Sequence, residues 1–209
     1  MSISQLARSI VNSPTLRLNE QARLLRERGL PVIHLGIGEP KNKTPISAIL
    51  GAANKLNAGE IKYTPTDGTP SLKKAIIKYT EENYNRIVDP ENVIVTNGAK
   101  QSLFNVIFSL VDPQDEVIIP APYWVSYPEM VKMAYGVPII VTPKDGSFYP
   151  RMEDILEAVS SYTKAIIVNS PNNPSGMVFP EAFIQEIVEF CESKRSEERR
   201  VGKECRSRW

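Results

Sequence analysis

The sequence predicts an α/β protein, a mainly parallel sheet with helices on both faces, preceded by an amino-terminal arm. Three observations carry that prediction. Short apolar runs, mostly unbroken, at Val93 to Thr96, Glu116 to Ile119, Val137 to Val141 and Ala165 to Val168 ask for burial on both faces of a sheet. Helical patterns with apolar spacings of three and four alternate with these runs. Loops rich in proline, glycine and asparagine follow three of the runs, where a strand gives way to a helix.

In chain order, an irregular stretch from Ser9 to Leu16 leads into a helix whose Leu18, Ala22 and Leu25 share one face, and Gly29 closes it. Val32-Ile33-His34-Leu35 reads as a short strand that Gly36-Ile-Gly38-Glu-Pro40 stops. His34 is then a strand residue with one satisfied nitrogen rather than a base. Thr44-Pro45 and Thr69-Pro70 each place a capping hydroxyl before a proline at the first helical position. The helices that follow carry Ile46, Ile49, Leu50 and Ala53, then Leu72, Ala75, Ile76 and Tyr79. Beyond Val93, strand and helix alternate four times. Met152, Ile155, Leu156 and Val159 mark one of these helices, and Phe183, Ile184, Ile187, Val188 and Cys191 mark the last. No internal repeat or low-complexity segment interrupts the order.

Composition narrows the function classes. At 209 residues, with 42% hydrophobic and 23% charged residues, the chain is long enough for one or two domains with a real core. No stretch approaches the roughly 20 apolar residues of a membrane helix, so a soluble cytoplasmic protein is expected, with no membrane partner. Net charge is +1, but residues 195–209 hold six cations and three anions, so the rest of the chain is slightly acidic. It has no basic stripe for a phosphate backbone, which argues against a nucleic-acid partner. Cys191, Cys205 and the single histidine, His34, lack the spacing of a metal site or a disulfide framework. The abrupt change of composition at Arg195, in mid-helix, reads as a foreign or unstructured tail over 195–209.

Three loops carry candidate chemistry. Val93-Ile-Val-Thr-Asn97-Gly98-Ala99-Lys100-Gln101 joins a strand, a glycine turn and a helix start, aiming free amides and a helix dipole at one point, as suits a phosphate group. Lys100 either adds a charge there or is a solvated lysine of a first turn. Ala121-Pro-Tyr-Trp124-Val-Ser-Tyr-Pro128 sets Trp124 at the carboxyl edge of the next strand, where it stacks on a flat ring or plugs the core. Asn169-Ser-Pro-Asn-Asn-Pro-Ser-Gly176 follows the last apolar run, and its prolines and glycine fix a loop in which Asn172 and Asn173 offer uncharged amides. Convergence of all three on one sheet edge is what a ligand site requires. Gly36-Ile-Gly38 is no dinucleotide fingerprint, because Lys41 stands where the third glycine belongs.

These three loops, with Leu35-Gly-Ile-Gly38-Glu-Pro40 and Tyr63-Thr-Pro-Thr-Asp67-Gly68, resemble the ordered motifs of class I/II pyridoxal-phosphate aminotransferases of fold type I, nearest the bacterial aspartate aminotransferases. The likeness runs from about Ile10 to Lys194. It implies an arm and the start of a small domain over residues 1–40, and the first part of the cofactor-binding large domain over 41–194. It further implies that the amides of Gly98, Ala99 and Lys100 hold the phosphate of pyridoxal 5'-phosphate. Tyr63 would reach the phosphate of a neighbouring subunit, which implies a homodimer. Trp124 would stack on the pyridine ring and touch the substrate carboxylate, Asn173 would bond the ring hydroxyl, and Gly38 would lie against the substrate.

The implied reaction moves an amino group from an amino acid, aspartate or glutamate, to a 2-oxo acid. Other reactions of the same scaffold, a carbon-sulfur lyase or an aromatic aminotransferase, stand beside it, as does a non-catalytic ligand-binding module. The family's Schiff-base lysine, the aspartate that pairs with the pyridine nitrogen and the arginine that grips the α-carboxylate all belong beyond Lys194. The expectation is therefore an inactive amino-terminal fragment with an unpaired sheet edge.

Overall fold

The computed structural model describes residues 3–11, 13–36, 38, 42–59 and 61–194. Its elements are α1 (Gln5–Ser9), α2 (Pro14–Glu27), α3 (Ile46–Asn57), α4 (Pro70–Tyr84), a 3-10 turn (Pro90–Asn92), α5 (Ala99–Leu110), β1 (Glu116–Pro120), α6 (Ser126–Met133), β2 (Val137–Val141), α7 (Met152–Ala158), β3 (Thr163–Ile166) and α8 (Glu181–Ser193). They form two compact units. One joins the residues up to Pro14 with those from Gly98 onward, and the other runs from Thr15 to Asn97.

The first unit holds the predicted parallel sheet. β1 lies in the middle of three strands in the order β2-β1-β3, pairing Ile118 with Ile139 on one side and Ile166 on the other. Successive side chains of a strand point to opposite faces, and β1 uses both. Val117 and Ile119 pack with Ile107, Val111, Tyr127, Met130 and Val131, from α5 and α6 and the turn after α5. Ile118 packs with Val141, Ile155, Phe179, Phe183 and Ile187, from the α7 and α8 side. An unbroken apolar run is the only pattern that satisfies both layers, and Val117, Ile118 and Ile119 are at most 1% exposed. The expectation of two-face burial fails for β2, an edge strand of the sheet among the described residues, where Val137 and Ile140 are partly exposed. β3 begins two residues before the predicted run, and the Ile167 amide still donates to the Ile118 carbonyl at 2.9 Å.

The second unit holds α3, α4 and most of α2, and it corrects several expectations. Val93 to Thr96 is extended but forms no strand; the Val95 amide donates to the loop carbonyl of Asp67 at 3.0 Å rather than to a ladder. Val32 to Leu35 forms no strand either, and Ile33 and Leu35 are 90% and 91% exposed. In both places an apolar run lacks a paired neighbour among the described residues, and pairing is what makes a strand. The Nε2 of His34 is buried with no hydrogen-bond partner among those residues. α3 starts at Ile46 with Pro45 as its N-cap, leaving Thr44 one position outside. Thr69 does cap α4 with Pro70 behind it, yet its hydroxyl makes no capping bond and lies 3.4 Å from that of Ser71. α2 begins at Pro14, inside the stretch expected to be irregular, and ends before Gly29 at φ +75°. The expected tail over 195–209 lies outside the described residues.

Candidate functional site

Parallel strands end on a common edge, so the loops after β1 and β3 meet where ligands of open α/β sheets bind. Here the meeting is a specific contact. The Asn172 side chain is 6% exposed. Its amide nitrogen donates to the Pro122 carbonyl at 2.8 Å and to the Ser175 hydroxyl at 2.8 Å. Its backbone amide reaches the Met177 carbonyl at 2.8 Å, and its carbonyl accepts from Gly176 at 2.7 Å. Asn172 is thus a strut between the two loops. Asn173, next in the chain, is exposed and presents its amide outward from a braced loop. Ala121–Pro122, Ser170–Pro171 and Asn173–Pro174 are cis peptide bonds.

Trp124, two residues beyond the Pro122 carbonyl, is half-buried. Tyr127 holds it edge to face at 5.5 Å between centroids and 88°. Tyr127 is itself buried, and burial pushes its phenol above the usual range. Of the two alternatives for the tryptophan, the structure bears on the core: it leans on the core cluster, and Lys100 Nζ lies 4.9 Å from the ring centroid as a cation–π neighbour. Lys100 is exposed but not isolated, since it links the α5 turn to the aromatic plate.

Gly98 is the N-cap of α5 at φ +79° and ψ 167°, a backbone state essentially reserved for glycine. Its carbonyl accepts from Gln101 at 3.2 Å and Ser102 at 3.4 Å, which starts the helix. The amides of Ala99 and Lys100 belong to the first turn, where no intrahelical acceptor exists and the dipole favours an anion. Beside this turn a cavity of about 610 Å³ is lined by Lys100, Phe104, Tyr123 and Met133, with Val11 and Pro14 of the arm. The arm is held by the Val11 amide, which donates to Glu129 at 3.1 Å.

The first unit thus gathers Gly98, Ala99, Lys100, Trp124 and the Asn173 loop. Gly38 and Tyr63 belong to the second unit; both are exposed, Tyr63 fully. Among the described residues no group of three or more His, Cys, Asp or Glu side chains is placed to hold a metal ion. No helix there is long and apolar enough to cross a membrane.

Residues 31–196 match the model of the family described as aminotransferase class I and II. The chain belongs to that family. It is 42% identical over 190 residues to a probable aspartate/prephenate aminotransferase of Thermus aquaticus, covering 90% of this chain and 49% of that protein. It is 41% identical over 192 residues to the aspartate aminotransferase of Geobacillus stearothermophilus, covering 91% and 49%. Among solved structures, the aspartate aminotransferase of Thermus thermophilus with maleate superposes with a TM-score of 0.87 at 37% identity, over 94% of this chain and 52% of that one. The chain spans about half the length of the curated relatives it matches. The three-stranded sheet is accordingly an incomplete large domain of this class I/II aminotransferase fold.

The family's cofactor is pyridoxal 5'-phosphate, and the donors present suit it. A glycine-only turn at a helix N-terminus suits a phosphate, a half-buried tryptophan suits a planar ring, and an exposed amide on a braced loop suits a ring hydroxyl. Sequence reasoning missed the strut role of Asn172, and no signal separated it from Asn173, since both lie between Pro171 and Pro174. It also missed the ion pair between the buried Lys73 and the half-exposed Asp67, since a lysine in a helical pattern reads as solvated.

Proposed function

We propose that this chain supplies part of the cofactor and substrate site of a pyridoxal-phosphate-dependent transaminase, which moves an amino group from aspartate or glutamate to a 2-oxo acid. The observation that carries this reading is the Asn172-to-Pro122 bond, which ties the Asn173 loop to the Trp124 loop across the ends of adjacent strands. When bound, the cofactor supplies an electron sink that lets an amino acid lose its α-proton. The chain's own residues bind and orient. The amides of the N-cap Gly98 and of Ala99 and Lys100 in the first turn hold the phosphate, and the α5 dipole favours its charge. Trp124 stacks on the pyridine ring and meets the substrate carboxylate, while Asn173 bonds the ring hydroxyl and borders the substrate. Gly38 lies against the substrate, and Tyr63 reaches the phosphate of the neighbouring subunit in a homodimer working in the cytoplasm.

The lysine, aspartate and arginine that complete this chemistry are expected beyond Lys194, so the 209 residues bind without turnover. Pyridoxine 5'-phosphate, which lacks the reactive aldehyde, is the direct probe. It should quench Trp124 fluorescence at concentrations at least tenfold below those needed for pyridoxine, and equal quenching by the two would sink the phosphate assignment. Formation of oxaloacetate from aspartate and 2-oxoglutarate by the 209-residue chain would overturn the expectation of binding without turnover. Transfer to prephenate by a protein that includes this chain would separate aromatic specificity from aspartate/glutamate exchange.

A further inference from the structure

Within the second unit, α4 buries two residues, Lys73 and Thr80, and neither is apolar. Lys73 is 9% exposed, and its ammonium pairs with the half-exposed carboxylate of Asp67. A lysine taken out of water is costly unless it is paired, so this burial is not explained by packing. Its partner stands at a junction. The Asp67 carbonyl accepts from the Val95 amide at 3.0 Å, and the next residue, Gly68, sits at φ +107° directly against Val95. A Cβ on Gly68 would come within 2.4 Å of Val95 Cγ2, so no other residue fits the contact. The Gly68 amide also closes the turn onto the Pro65 carbonyl at 3.1 Å. Two contacts to Val95 therefore fix the base of the Tyr63 to Gly68 loop against the segment that leads, three residues on, to Gly98, and the Pro65 turn closes that base on itself. The Tyr63 ring is fully exposed, so its reach is set by that base.

We propose that Lys73 is a positioning residue: through Asp67 it holds the Tyr63 loop in register with the Val93 to Asn97 segment, and so tunes phosphate affinity without touching the cofactor. This rests on the phosphate role of Tyr63 and Gly98 given above. The test compares the 209-residue chain with Lys73→Met, Lys73→Arg and the double variant Lys73→Met with Asp67→Asn, which strands no charge. Amide exchange at Val95 and Gly68 reports the clamp, with Val117 in the sheet as reference. The ratio of pyridoxine 5'-phosphate to pyridoxine affinity reports the phosphate site.

Lys73→Met and the double variant should speed Val95 exchange at least tenfold and reduce the phosphate preference at least fivefold, with Val117 unchanged and Lys73→Arg near the parent. Unchanged Val95 exchange in the double variant overturns the clamp. Faster exchange with an unchanged phosphate preference overturns the positioning role. A parent chain with no phosphate preference overturns the underlying phosphate assignment, and the positioning role falls with it.

Discussion

The two compact units place similar apolar residues in opposite ways. In the first, β1 buries consecutive side chains into two separate clusters, one toward α5 and α6 and the other toward α7 and α8. In the second, α3 carries Ile46, Ile49 and Leu50 at good helical spacing yet buries none of its residues, and the buried positions of α4 are a lysine and a threonine. Helical periodicity is therefore a statement about which residues share a face, not about whether anything covers that face. The first unit is held by its hydrophobic core. The second is held at Asp67, Gly68, Lys73 and Val95 by polar and close-contact terms, which are local and directional.

The largest test of this contrast is a pair of truncations. Ile118→Ala removes a side chain packed on all sides and should cost about 2 to 5 kcal/mol. Ile49→Ala, on the exposed face of α3, should change stability by less than about 0.5 kcal/mol. Denaturant midpoints measured at unchanged slope would report both. A large loss for Ile49→Ala would mean that α3 is covered in solution, and the contrast would dissolve.

That contrast also explains what could be read in advance. The parallel sheet and the two-sided burial of β1 follow from runs such as Val117 to Ile119, because two-face burial leaves a strand no other composition; the bounds of β2 follow from its apolar run, although that strand is partly exposed. Val93 to Thr96 and Val32 to Leu35 have the same local pattern and form no strand, because a ladder depends on a neighbour that lies elsewhere in sequence. The loops of the candidate site were legible as turn chemistry. The division of labour between Asn172 and Asn173 was not, since identical side chains differ only in which one the fold turns inward. Lys73 was invisible for a related reason: its type signals solvent, and only the tertiary position of Asp67 reverses that.

Next in size are changes at the braced loops. Asn172→Ala deletes donors to Pro122 and Ser175 and leaves a partly buried carbonyl without its partner, costing about 1 to 3 kcal/mol. Asn173→Ala should cost less than about 0.5 kcal/mol while weakening pyridoxine 5'-phosphate binding severalfold. If the two substitutions cost the same stability, the strut assignment is wrong. Gly98→Ala forces a side chain into a glycine-only backbone state and should cost about 1 to 3 kcal/mol together with the phosphate preference. Thermal unfolding and the same fluorescence titration distinguish these three outcomes.

The smallest expected effect is electrostatic and lies at the exposed rim of the first unit. Asp145 is held at about 2, first by hydrogen bonds from Ser147 and then by Arg151, whose guanidinium lies 2.8 Å away. Because the folded value lies below the unfolded value of about 3.9, the stabilisation is complete above pH 4 and is lost as pH falls through about 2. Asp145→Asn removes the titrating group, so the variant should be slightly less stable than the parent near pH 7 and lose stability less steeply between pH 4 and 2, the two converging in acid. Parallel acid-unfolding curves for parent and variant would show that solvent screens this rim too strongly for Asp145 to matter, leaving the buried sheet as the source of the unit's stability at every pH.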